Sequence, residues 1–232
     1  EITESAYVGK FATVNFYTPS YTEALISTSG YTGFGLNLLP GTSYDLVLAG
    51  GVWDEALIGY CRGKRNQPVW VIAEADYRGP GKIDSVQNIL FLPKFQPECV
   101  FEALRKGRFY IRYYSKNNTD ISLSDFHIED SEMHTGGETA FIGEEIKITG
   151  KPRLRIKGAY IINPGEDLTI EIIRDGEIIK KFGFANEGIF DFEFQDDSLL
   201  VLQKKGYYRL NFFAAGNLIL VTNPIFVKIK NE

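Results

Sequence analysis

Apolar and polar positions change their period about halfway along the chain. Up to about residue 107, short apolar runs alternate with helical patterns. "FATVNF" (Phe11 to Phe16) predicts a buried strand, and "SYTEALIST" after it carries a capping-box pattern, Ser20 with Glu23, and a stop at Gly30. "GFGLNLL" (Gly33 to Leu39) predicts a second strand and "PVWVIAEA" (Pro68 to Ala75) a third. Between them "VWDEALIGYC" puts Trp53, Leu57 and Tyr60 on one helical face. "PECVFEALRKG" is the clearest helix. Pro97 suits its first turn, Val100, Phe101 and Leu104 share a face, and Gly107 ends it. Strands alternating with helices predict parallel pairing.

Beyond that point the period becomes two. "IFDFEFQ" sets Phe190, Phe192 and Phe194 against Asp191, Glu193 and Gln195, so one face is buried and one wet. "LTIEIIRDGEIIKKFGF" holds Asp175-Gly176 between two β-rich runs, a hairpin signal. "YYRLNFFA", "LILVT" and "IFVKI" predict further strands. Turn residues recur about every ten positions, the pattern of an antiparallel sandwich of seven to nine strands. The expected organisation is an α/β part over residues 1–108, a partial β/α barrel, and an all-β sandwich over 109–232. Three β/α units neither cover a parallel sheet nor close a barrel. The first part is therefore expected to be covered by a missing upstream barrel segment or by another chain, including a second copy.

The 232 residues are 44% hydrophobic and 24% charged, which allows a globular core. The net charge of −5 and the short basic clusters predict no nucleic-acid partner. No apolar run is long enough for a membrane span, and no signal peptide is visible. Because the chain begins with Glu1, residues upstream are expected to be missing. Two distant cysteines, Cys61 and Cys99, make neither a disulfide framework nor a zinc motif and suit a cytoplasmic location.

Candidate chemistry concentrates in "EADYRG". Carboxylates Glu74 and Asp76 end a strand, where metal sites are often built, and Arg78 follows. "GYTGFG" precedes a strand instead of joining strand to helix, so it is no phosphate loop. Serines and cysteines of the first half have no histidine partner. Glu144-Glu145, Asp196-Asp197, the Asn117-Asn118-Thr119 sequon and the two histidines, His127 and His134, read as turn or surface residues. Tyr113, Tyr114 and Tyr207 could stack on sugar rings.

In their order, "GYTGFGLNLL", "VWDEALIGYCRGKR", "VWVIAEADYRG", "FEALRKGRFYI", "LTIEIIRDGEII", "KKGYYRLNFF" and "TNPIFVKI" resemble the PHP (polymerase and histidinol phosphatase) metal-dependent phosphoesterases that carry a C-terminal β-sandwich. The resemblance runs from about Gly9 to Ile229. It implies a distorted β/α barrel holding zinc, manganese or iron at its C-terminal strand ends, where a metal-bound water attacks a phosphoester. Two of the family's motifs are altered. The histidine expected in "VNFYTPSYTEAL" is absent, with Tyr17 in its vicinity. The Asp-x-His expected at the last barrel strand is Asp76-Tyr77-Arg78. Arginine offers no lone pair to a metal. The resemblance thus implies a degenerate site that keeps Asp76 and Glu74, with no cofactor for this chain alone and a divalent metal only if upstream ligands complete it. The alternatives are an active phosphoesterase completed upstream, and a sandwich that binds carbohydrate or protein.

Overall fold

The computed structural model describes residues 2–8, 12–18, 22–75, 83–115, 119–132, 138–185, 188–198 and 205–230, with side chains from Glu23 onward. Its contacts divide the chain into two units, Glu1–Tyr31 and Thr32–Glu232.

In the first unit, β1 (Ile2–Val8) and β2 (Ala12–Thr18) form an antiparallel hairpin in which Ala6 faces Val14. This corrects the parallel role expected for "FATVNF": the strand finds its partner directly upstream, across a three-residue connection that only antiparallel strands can use. A short helix, α1 (Thr22–Ser27), follows two residues after Ser20, which lies outside the described residues.

The second unit is mostly β. Strand accounts for 51% of the structure and helix for 15%, and no sheet among the described residues closes into a barrel. Its first segment does contain a parallel pair. β3 (Gly33–Leu36) and β4 (Trp70–Ala73) run in register, Gly33 beside Trp70 and Leu36 beside Ala73, joined through a 3-10 turn (Asp45–Val47) and α2 (Val52–Cys61). Among the described residues the other edge of β4 meets no strand. Val71 N–H donates to Asn223 Oδ1 at 3.0 Å, and Asn223 Nδ2 donates to the Val71 and Phe109 carbonyls. Two residues on, Ala73 N–H donates to Asn88 Oδ1 at 2.8 Å and Asn88 Nδ2 donates back to Ala73 O. Each carboxamide takes the place of a neighbouring strand's peptide group, satisfying backbone groups that burial would otherwise leave unpaired.

β5 (Val86–Leu90) had no counterpart in the sequence reading. It pairs antiparallel with β6 (Phe109–Tyr113) across α3 (Pro97–Lys106). Pro97 sits at the start of α3, and Gly107 ends it in the left-handed region at φ 68°. A Cβ on Gly107 would lie 2.4 Å from the Trp70 ring, so conformation and space both require glycine. Phe101, expected on the buried face, is 61% exposed; Ala103 is the buried contact.

The remaining strands are β7 (Asp120–Asp130), β8 (Thr139–Phe141), β9 (Glu145–Ile148), β10 (Pro152–Ile161), β11 (Asp167–Arg174), β12 (Glu177–Ala185), β13 (Gly188–Gln195), β14 (Lys205–Ala214), β15 (Asn217–Thr222) and β16 (Ile225–Ile229). They form two facing sheets. One has the order β13-β10-β7-β8. The other runs β12-β11-β14-β15-β6-β5, with β16 against β14 and β9 parallel to β16. β6, just past the expected domain boundary, is hydrogen-bonded on one side to β5 and on the other to β15, so strands from both sides of that boundary share a sheet.

Both faces of the large sheet carry buried residues along its central strands. Tyr208, Leu210 and Phe212 of β14 join Leu154, Ile156 and Phe126 between the two sheets. The opposite face carries Tyr207, Leu218, Val221 and Phe226, which pack with Leu36, Val47, Trp53, Leu57, Trp70 and Val71. Strands β3 and β4, expected to need a missing segment or another chain to cover them, bury Leu36, Trp70 and Val71 against the chain's own large sheet. The apolar stripe finds its cover there at about 25 cal/mol per Å² removed from water.

Asp175 (φ 49°) and Gly176 (φ 86°) turn β11 into β12 as expected for Asp-Gly. The β14–β15 turn has the same form with Ala215 (φ 48°) before Gly216. A left-handed alanine costs about 1–2 kcal/mol. Ala215→Gly relieves that cost, and denaturant titration should show a gain of about 1 kcal/mol.

Candidate functional site

Glu74 follows the last residue of β4 and donates its N–H to Leu36 O, which places it at the C-terminal end of the parallel pair, where α/β sheets commonly carry their sites. Its side chain is exposed and folds over Gly35: a Cβ there would lie 2.0 Å from Glu74 Oε2. Asn37, beyond β3 at the same end, turns its side chain onto its own loop, accepting Leu39 N–H at 2.9 Å. Asp76, Tyr77 and Arg78 lie outside the described residues, as does His134. Tyr17 falls in β2, in the N-terminal unit, where the backbone alone is described. Among the described residues no group of three or more His, Cys, Asp or Glu side chains is arranged to hold a metal ion.

The strongest polar constellation is one that the sequence reading missed. Asp54, in the first turn of α2, is 1% exposed, and Arg209, in the middle of β14, is fully buried. They meet in a bidentate pair. Arg209 Nε donates to Asp54 Oδ1 and Nη2 to Oδ2, both at 2.7 Å. The Tyr207 hydroxyl donates to Asp54 Oδ1 at 2.7 Å, and Gly50 N–H to Oδ2 at 2.9 Å. The rest of the guanidinium donates to Asn211 Oδ1 and Leu48 O and lies 4.9 Å from the Trp53 ring centre. Asn211 Nδ2 donates to Val47 O. Each nitrogen of the guanidinium finds an acceptor, as a charge out of water requires. The chain uses this network to fasten α2 and its preceding loop to the large sheet. It is enclosed, so its work is architectural.

Beside it sits Asp175. Burial pushes its carboxyl up to about 6, against the backbone N–H of Tyr207 and the charge of Arg174, which favour ionisation. Cys61, near the same spot, is pushed up to about 12, first by burial and next by Asp175, which makes it a poor nucleophile.

The remaining candidates resolve into structural roles. Asp196 is 2% exposed and buried where a solvated turn was expected. Burial alone would raise its pKa, but hydrogen bonds from Ser198, Tyr208 and Arg174 outweigh burial and hold it below the usual range. Asp197 pairs with Lys151, Glu144 with Arg108 and Glu145 with Lys205, so neither acidic pair converges on one point. His127 lies on the outer face of the four-stranded sheet with Asp125 at 2.7 Å on Nδ1 and Glu129 at 3.0 Å on Nε2. Tyr207 is fully buried and unavailable to a sugar. No described helix is long and apolar enough to cross a membrane.

Compared with known protein families and with curated proteins, the chain matches none.

Proposed function

We propose that this chain is the C-terminal part of a PHP-type phosphoesterase-like protein, its β/α segment the C-terminal portion of a partial, unclosed β/α barrel retained as scaffold and its sandwich an accessory domain. The observation that carries the reading is the parallel β3–α2–β4 unit with Glu74 at its C-terminal end, directly before Asp76-Tyr77-Arg78. That end is where the family holds its metals. The donor types there do not suit zinc, manganese or iron. Arg78 has no lone pair and Glu74 is turned onto Gly35; in the sequence, the other expected histidine is missing, with Tyr17 in its vicinity. In this reading the chain alone is non-catalytic. A reducing, cytoplasmic setting suits its two free thiols.

Metal analysis of the purified chain after loading with each of the three metals tests this. The expected result is well under one equivalent, unchanged by Asp76→Ala. About one equivalent, lost in that variant, would establish instead an active-type site.

A further inference from the structure

We propose that a cavity at one end of the sandwich binds a single uncharged sugar ring. Its walls come from widely separated segments: the loop after β3, β6, the approach to β7, the β10–β11 loop and the β14–β15 hairpin. Loops gathered at the end of a sandwich are the usual place for recognition on this architecture. The volume is about 190 Å³. That is below the roughly 300–1,000 Å³ of drug-sized sites and suits a monosaccharide better than a nucleotide or an oligosaccharide.

The lining has the composition such a ligand needs. Leu38 and Leu218 give an apolar floor for the C–H face of the ring. Tyr113, among the tyrosines the sequence offered for stacking, stands beside them. Around this floor are Thr119, Asn163 and Glu166. Asn163 Nδ2 donates to Glu166 Oε1 at 2.9 Å, which orients both groups; Asn163 Oδ1 and Glu166 Oε2 make no hydrogen bond among the described residues. The hydroxyls of Tyr113 and Thr119 make no hydrogen bond among the described residues. A carboxylate and an amide held side by side accept from and donate to adjacent hydroxyls. No lysine or arginine lines the space, and Glu166 brings negative charge, so phosphorylated and acidic ligands are disfavoured. The strained residue Ala215 belongs to the cavity wall. A non-glycine residue kept in the left-handed region is itself a pointer to function.

This inference is independent of the phosphoesterase-type reading, since it uses no residue from the end of β4. The test is titration of the whole chain with glucose, galactose, mannose and xylose, followed by saturation-transfer NMR and calorimetry. At least one sugar should saturate with a Kd on the order of 1–10 mM, a range ordinary for weak sites. Glucose 6-phosphate should bind more weakly than glucose. Glu166→Gln and Asn163→Ala should each weaken binding about tenfold or more, as removal of a charged or paired hydrogen-bond partner does, with melting curves still cooperative. Should Glu166→Gln not fold, Tyr113→Phe keeps the ring, deletes one hydroxyl and gives the same readout. No saturation by any of the four sugars at 100 mM (about a hundred times the tighter limit) would overturn the proposal. So would binding that all folded variants leave unchanged.

Discussion

Asp54→Ala should lower the stability of the chain by about 3–5 kcal/mol, the cost of leaving a buried charge without its partner. Arg209 is fully buried and points two donors at Asp54, and among the described residues no other carboxylate pairs with it. Asn211 and Leu48 supply neutral acceptors only. The Tyr207 hydroxyl loses its acceptor in the same step. The informative comparison is the triple replacement Asp54→Leu, Arg209→Met, Tyr207→Phe. It removes the charges and the hydroxyl together, and buried ionic groups exchanged for apolar ones of similar size often cost little. Urea titrations of the two proteins should place the triple variant well above Asp54→Ala. A loss below about 1 kcal/mol in the single variant, the level of an exposed ion pair, would mean that water reaches the guanidinium.

The second large effect depends on pH. Asp175 has its folded pKa raised from 3.8 to about 6 by burial. In the unfolded chain the carboxyl ionises near the ordinary value, so between pH 4 and 6 the unfolded state binds fewer protons than the folded state. Stability from this group therefore falls as pH rises through that window and stays low above it. At about 1.4 kcal/mol per pKa unit, the penalty at neutral pH is on the order of 2–3 kcal/mol. Asp175→Asn removes it. The amide oxygen can still accept Tyr207 N–H, and asparagine tolerates the left-handed turn position. Thermal melts should show the variant more stable than the parent at pH 7.5 and equal to it at pH 4. A variant less stable at pH 7.5 would show that the carboxylate is wanted ionised, for instance by Arg174.

Local rules read some elements well because the deciding chemistry is local. Pro97 and Gly107 bracket a helix, and Asp175-Gly176 makes a hairpin, whatever lies around them. The sheet faces are different. Along β14, Tyr207, Arg209 and Asn211 alternate with Tyr208, Leu210 and Phe212, and a period of two assigns the polar set to water. Here α2 and its preceding loop cover that set, which a period cannot report. The available signal was an acid inside an apolar helix start, "VWDEAL", matched to an arginine inside an apolar strand. For the same reason the β/α strands looked in need of an outside cover, when the other half of the chain supplies one. The end of β4 was legible as a place, through Glu74, but its following residues lie outside what the structure describes.

Asn88 and Asn223 give the small parallel sheet a direction of growth. A strand added beside β4 would have to evict two side chains that already answer the Val71 and Ala73 peptide groups, and the Phe109 carbonyl would lose its donor as well. β4 is thus a terminus written in side chains, and the sheet can lengthen only past β3. Any larger parallel array that includes this chain must therefore be laid down from the β3 side and stop at β4. A single aspartate-for-asparagine exchange at 223, placing a charge against the carbonyls of Val71 and Phe109, would unseal that stop.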